Sequence, residues 1–264
     1  MQRLVSVFAI VITLTPATFA QDGVDAKMLE RLVAEIELAP SLYAKHHEPG
    51  KLDLPKIAAK KLAEYALNEP SAAKERERFE AGKERYAKEH SLRAAVFEAV
   101  DVMESAAKLP IRMKLNGPID PKRKAAFLLE QEPIALAIYK LERALDTMKT
   151  ADAQRGNEKS KRWQANFDFT RARLESNLLF LYEYNYTLGI IRRDNLPELR
   201  PGESGWVIRY HPAIHVLEGK VQRYQRDMKS RLTQIQKDHA DTPWAGLAER
   251  EGRRSFGMLW TPTE

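Results

Sequence analysis

Apolar positions recur at steps of three and four along most of this chain, the spacing of one face of an α-helix. The longest such stretch is 159–191. Trp163, Phe167, Thr170, Leu174, Leu178, Leu181, Asn185 and Leu188 share one face of it, and no proline interrupts it. Phe169, Ala172, Leu179, Phe180 and Tyr182 widen that face, so more than one partner helix must cover it. At ~1.5 Å per residue the helix would be about 50 Å long. The pattern predicts an all-α fold, an irregular helical bundle or helical-repeat-like array around this one central helix.

Shorter patterns flank it. Met28, Leu29, Leu32, Val33 and Ile36 predict a helix that Pro40 ends, and Pro55 starts another short one. Residues 71–108 predict a single charged helix. Its first half has only Phe79 and Tyr86 as large apolar groups and projects; its second half packs through Val96, Phe97, Val100 and Met103. Asp120 followed by Pro121 is an N-cap and first-turn pair, and that helix should run to about Gln131. Pro133 should kink or restart it, with Ile134, Ile138, Leu141, Leu145 and Met148 continuing the stripe.

Residues 194–212 form the longest expected loop, with at most one short strand pair near 206–210. A helix is expected from Pro212 to about Lys237. Thr242 as N-cap and Pro243 as first residue should start a last helix that ends near Glu251. Trp244 should be buried there with Leu247 and Ala248, while Phe256 and Trp260 cover the remaining apolar edge. The expected division is a helical region at 21–110 and a C-terminal helical domain at 111–264.

Residues 1–20 stand apart. Arg3 precedes an apolar run at 4–14, Pro16 breaks it, and Thr18 and Ala20 place small residues before Gln21. This is the layout of a secretory signal peptide cleaved after Ala20. It makes the expected location the periplasm or the exterior. No later apolar run reaches bilayer length, so no transmembrane segment is expected in the mature chain.

Composition narrows the chemistry. Cysteine is absent, which excludes thiol catalysis, disulfides and cysteine-ligated metals. The formal charge of +6 arises from 43 basic and 37 acidic residues, a mild excess that permits anionic partners without demanding them. Arg112, Lys114, Lys122, Arg123 and Lys124 form the densest basic cluster. Three of them sit in a first helical turn, where the dipole disfavours cations, so the cluster is a candidate anion patch. No aromatic interleaving or module signature accompanies it, and nucleic acid is not the expected partner.

Asp168, Glu183 and His211 are the candidate catalytic groups. Asp168 sits between Phe167 and Phe169, where burial would raise its pKa unless an arginine pairs with it. His211 and His215 are four apart but lack a third ligand in the sequence, so no metal and no cofactor are expected. Trp206, in the long loop, is a candidate binding residue. Trp163, Asn185, Thr242, Pro243, Trp244 and Trp260 read as structural.

Two stretches carry a resemblance. Arg162, Trp163, Ala165, Asn166 and Asp168 begin one pattern, which continues with Glu183-Tyr184-Asn185; His239, Thr242, Pro243, Trp244, Ala245, Leu247, Ala248, Arg250 and Glu251 form the other, and Trp260 closes it. This resembles the C-terminal helical region of exported, uncharacterised proteins of planctomycete-type bacteria. Some of those carry a von Willebrand A domain ahead of it, whose D-x-S-x-S motif is absent here. The last helix pair is also similar to a tetratricopeptide-type unit, which implies a binding scaffold.

The leading expectation is therefore an exported helical scaffold or adaptor that contacts another envelope protein. The alternatives are a hydrolase-like enzyme with a site between the central helix and the 194–212 loop, and a binder of anionic envelope polymer.

Overall fold

A computed structural model describes residues 39–45, 64–65 and 70–264. The expected signal peptide and the helix expected at 24–38 lie outside the described residues. So does the Pro55 helix, apart from Glu64 and Tyr65.

The structure is a mostly helical bundle with one small sheet, so the all-α reading holds. In chain order, α1 is Leu42–Lys45, α2 Ala72–Ala81, α3 Lys83–Glu89 and α4 Ser91–Ala106. Strand β1 (Lys114–Asn116) precedes α5 (Pro121–Ala151), a 3₁₀ turn (Asp152–Asn157) and α6 (Lys161–Arg192). Then come β2 (Gly205–His211), α7 (Gly219–Asp238), α8 (Pro243–Gly252) and β3 (Gly257–Thr263).

The central helix is α6. It starts where Ser160 accepts from the Trp163 amide at 3.3 Å, and nothing inside it interrupts the hydrogen-bond ladder. Its buried residues lie on every face, because α4, α5, α7, α8 and β3 all pack on it. Trp163 is fully buried, with Phe97 edge-on at 5.4 Å and the Arg93 guanidinium 5.2 Å from its ring.

The charged helix expected over 71–108 is three helices. Breaks at Gly82 and His90 fold α2 back instead of letting it project. The fold-back brings Phe79 within 5.3 Å of Phe97 and 5.8 Å of Tyr86. It also buries Glu75, which accepts from Tyr86 Oη at 2.5 Å and from Arg78 Nη1 at 2.7 Å. Burial of the Phe79 and Tyr86 rings outweighs the helix propensity that a continuous 71–108 would satisfy.

In contrast, α5 is one helix rather than two. Asp120 caps it, accepting from the Arg123 amide at 2.7 Å, and Pro133 sits inside it on the exposed side. The buried stripe on either side of Pro133, Phe127, Ile134, Ala137, Ile138 and Leu141, holds both halves in line.

Three antiparallel strands replace the single strand pair. The order is β1-β2-β3, with Leu115 opposite Trp206 and Ile208 opposite Trp260. At Gly205 any Cβ would collide with the Leu115 carbonyl oxygen, so only glycine lets β1 and β2 close to pairing distance. Strand β3 sets Met258 and Trp260 inward against α6, and Trp260 Nε1 donates to the Thr187 carbonyl at 2.9 Å.

The helix expected from Pro212 starts at Gly219. Strand β2 runs on to His211, and residues 212–218 are a loop whose amides His215 and Val216 donate to Glu183.

The C-terminal closure follows the Thr242-Pro243 start. Thr242 is the N-cap residue, but its hydroxyl donates back to the His239 carbonyl at 2.5 Å and not to the helix. Trp244 is fully buried, and its Nε1 donates to Asn166 Oδ1 at 2.9 Å. Trp244→Ala removes both the ring and that bond. It should lower stability by ~3–5 kcal/mol, read as a shift in urea midpoint at unchanged m-value. An unchanged midpoint would mean that α8 does not close the core.

Candidate functional site

The polar side chains buried along α6 are the natural place for chemistry. Asn166, Asp168, Arg173, Glu175, Asn177 and Glu183 are all buried. An unpaired charge in such a place costs several kcal/mol, so their partners decide what they do.

Asp168 accepts from Arg155 Nε at 2.8 Å and from Nη2 at 2.5 Å, and His239 Nε2 lies 3.4 Å away. His239 Nδ1 in turn faces Tyr65 Oη at 2.9 Å. Burial pushes the Tyr65 phenol up to about 12, so it stays protonated at neutral pH. Burial alone would raise the Asp168 carboxyl. The His239 and Arg155 hydrogen bonds outweigh it and hold the group below the usual carboxylate range. The partner arginine comes from the 3₁₀ turn and not from α6 itself.

Glu183 lies ~22 Å further along α6. Both oxygens accept from backbone: Oε1 from the His215 and Val216 amides at 2.7 and 2.8 Å, Oε2 from Met258 N at 3.3 Å. His215 Nδ1 stands 3.1 Å from Oε2. Such a carboxylate anchors the 212–218 loop and β3 to the core. His211 ends β2, is exposed, and accepts from the Ala213 amide at 3.2 Å. Its ring is 5.6 Å from His215. The structure thus gathers Glu183, His215 and His211 and leaves Asp168 far away. The two histidines do not share a helical face, because His211 ends β2 and His215 lies in the loop that follows. Among the described residues, no group of three or more His, Asp or Glu is placed to hold a metal ion.

A polar cleft of about 520 Å³ opens between α6 and α7. Asp152, Arg155, Asp168 and Arg171 line one wall, and Asp227, Arg231 and Asp238 the other. Arg171 donates to Asp152 at 2.6 Å. Behind them Glu175 is buried, 3.9 Å from Arg171 Nε and 3.7 Å from Arg231 Nε. These are ion-pair distances too long for hydrogen bonds, and Glu175 Oε2 has no hydrogen-bond partner. Burial pushes the Glu175 carboxyl up to about 7, against the pull of Arg231 and Arg171. The spacing could have found this residue: it stands three positions before Leu178, a helical step that puts it on the apolar face.

The remaining candidates separate. Arg112 pairs with Glu130 at 2.8 Å, and Lys124 with Asp194. Arg123 gives its Nη1 to the Asn116 carbonyl at 2.8 Å, and Asp120 already occupies the helix start. Lys114 and Lys122 are exposed. Three of the five cations, Arg112, Arg123 and Lys124, thus have carboxylates or carbonyls of their own. Trp206 is also structural. It is 7% exposed and donates to the Pro197 carbonyl at 2.8 Å, which pins the long loop. Asn185 is half-buried and accepts from Gln131 Nε2 at 2.8 Å, joining α6 to α5.

Among the described residues, most of the large exposed apolar side chains gather on one helix. Helix α5 exposes Leu128 (54%), Leu129 (70%), Leu136 (52%) and Tyr139 (59%) on the side opposite its buried stripe. No family model, curated protein or solved structure matches the chain.

The buried carboxylates predict distinct pH behaviour. The folded pKa of Glu175 lies above its unfolded value, so the stability it contributes is present below about pH 4.5 and lost as pH rises through about 7. Glu175→Gln should flatten the stability profile between these limits in urea titrations at several pH values. Asp168 has the opposite sign: its contribution is present at neutral pH and is lost as pH falls through its lowered folded pKa. An Asp168→Asn variant should lose stability at neutral pH and converge on the wild type in strong acid. A parallel offset at every pH would contradict this.

Proposed function

We propose that this chain is an exported helical scaffold that acts by binding protein rather than by turning over a substrate. The observation that carries the reading is the outer face of α5, where four large apolar side chains lie over about three helical turns. Monomeric surfaces scatter such residues singly, whereas a row of them on one rigid helix fits a partner helix with a matching seam. The buried polar groups of α6 support the same reading from the other side, since Asp168 and Glu183 are both committed to holding elements together.

Export rests on Arg3, the apolar run at 4–14 and the small residues before Gln21. The likeness to exported planctomycete-type proteins points the same way. Among the described residues, no helix is long and apolar enough to cross a membrane.

Two measurements check this. Intact mass of the chain recovered from its own host should give a mature N-terminus at Gln21; retention of Met1 on exported protein would contradict export. Cross-linking in the native envelope should give protein-protein adducts that the Leu129→Glu, Leu136→Glu double variant loses. Its circular dichroism should stay unchanged, because both side chains are exposed. Equal adducts from both proteins would remove the outer face of α5 from the function.

A further inference from the structure

Helix α5 carries two stripes. The inner one is buried: Phe127, Ile134, Ile138, Leu141, Leu145 and Met148. The outer one runs Lys122, Ala125, Leu129, Glu132, Leu136, Tyr139, Arg143 and Asp146, and every one of these is exposed. Its steps alternate strictly between three and four, which is the heptad spacing of a coiled-coil seam. Pro133 lies beside this stripe and outside it.

We propose that the seam pairs with the same seam of a second copy, antiparallel, about a two-fold axis level with Ile134. The inference rests on the scaffold reading, since both use the outer face of α5, and it names the occupant.

The charges along the stripe choose that partner and that direction. In the antiparallel register Leu129 faces the partner's Tyr139, and Leu136 faces the partner's Glu132. Two-fold symmetry repeats each layer, so the centre holds Leu129, Leu136 and Tyr139 from both chains, with each Glu132 stem lying against the partner's Leu136 and its carboxylate directed to the rim. At each end Lys122 meets the partner's Asp146, giving two opposite-charge layers. Asp146 is exposed and bonded to Lys149 within its own helix at 3.2 Å, so it remains accessible to the second copy. Arg143 meets the partner's Ala125, over which its long stem can lie.

The parallel register is worse at every charged level. It sets Lys122 on Lys122, Glu132 on Glu132, Arg143 on Arg143 and Asp146 on Asp146. A closed, isologous two-fold contact also satisfies the face completely, leaving no seam to propagate. Leu128 flanks the seam, where it covers the rim of the pair.

The absence of cysteine makes the register directly testable by cross-linking. Mature chain carrying Lys122→Cys, mixed with chain carrying Asp146→Cys, should form a disulfide-linked heterodimer under mild oxidation. Neither variant alone should cross-link efficiently. Efficient self-linking of each variant would overturn the antiparallel register.

Sedimentation of the wild-type chain should show a reversible monomer–dimer equilibrium. Lys122→Glu alone should raise the dimer dissociation constant about tenfold or more, which corresponds to about 1.4 kcal/mol. Adding Asp146→Lys to it should restore dimerisation. Leu129→Glu with Leu136→Glu should be monomeric with an unchanged circular dichroism spectrum.

A strictly monomeric wild type refutes self-pairing. If that monomer still loses envelope cross-links on the leucine substitutions, the scaffold reading stands and the occupant is a different protein. If nothing changes, both fail.

Discussion

The structure depends on one constraint, the burial of α6 on all sides although it carries charges. A helix so enclosed cannot send its polar side chains to water, so each must find its partner within the protein. Those partners come from distant parts of the chain. Arg155 and His239 reach Asp168, Trp244 reaches Asn166, and Glu251 of α8 faces Arg173. Each contact ties a peripheral element to the central helix at a defined register. Apolar packing alone would let α7 and α8 slide along α6; the polar contacts do not.

The sheet obeys the same logic. Glu183 provides acceptors at the level where the chain leaves β2 and where β3 begins, so a single carboxylate sets the position of both. Trp260 then meets the Thr187 carbonyl one helical turn further along. Not every buried polar group finds a match: Glu175 has two arginines near but not bonded and its carboxyl pushed up to about 7, and Trp163 Nε1 and Arg171 Nε on the same helix also lack a hydrogen-bond partner. The outer face of α5 shows the contrary imbalance, apolar groups in water.

Several conclusions were legible in the residues. The period of α6, the Asp120-Pro121 and Thr242-Pro243 helix starts, and the burial of Trp163, Trp244 and Trp260 follow from local spacing and capping chemistry. Three features were not. The folding-back of α2 depends on Phe79 meeting Phe97, a contact between separate helices that no local pattern encodes. Strands β1 and β3 are short segments whose pairing is set by a neighbour far away in the chain. Trp206 looked like a loop residue free to bind, but the same loop wraps back to accept its indole N–H.

The sequence by itself determined the helical class, the central helix and the helix starts, because these arise from interactions within a few residues. Tertiary structure alone decided which charges are spent. Asp168, Glu183, Arg112 and Lys124 read as available chemistry along the chain, yet each is matched once separate segments come together. The physical reason is desolvation: a buried charge must be matched by whatever the fold brings beside it, and that neighbour is chosen by packing and not by sequence proximity. The outer stripe of α5 has the same spacing of three and four in the sequence as the inner one. Only the three-dimensional structure shows which of the two the core has used.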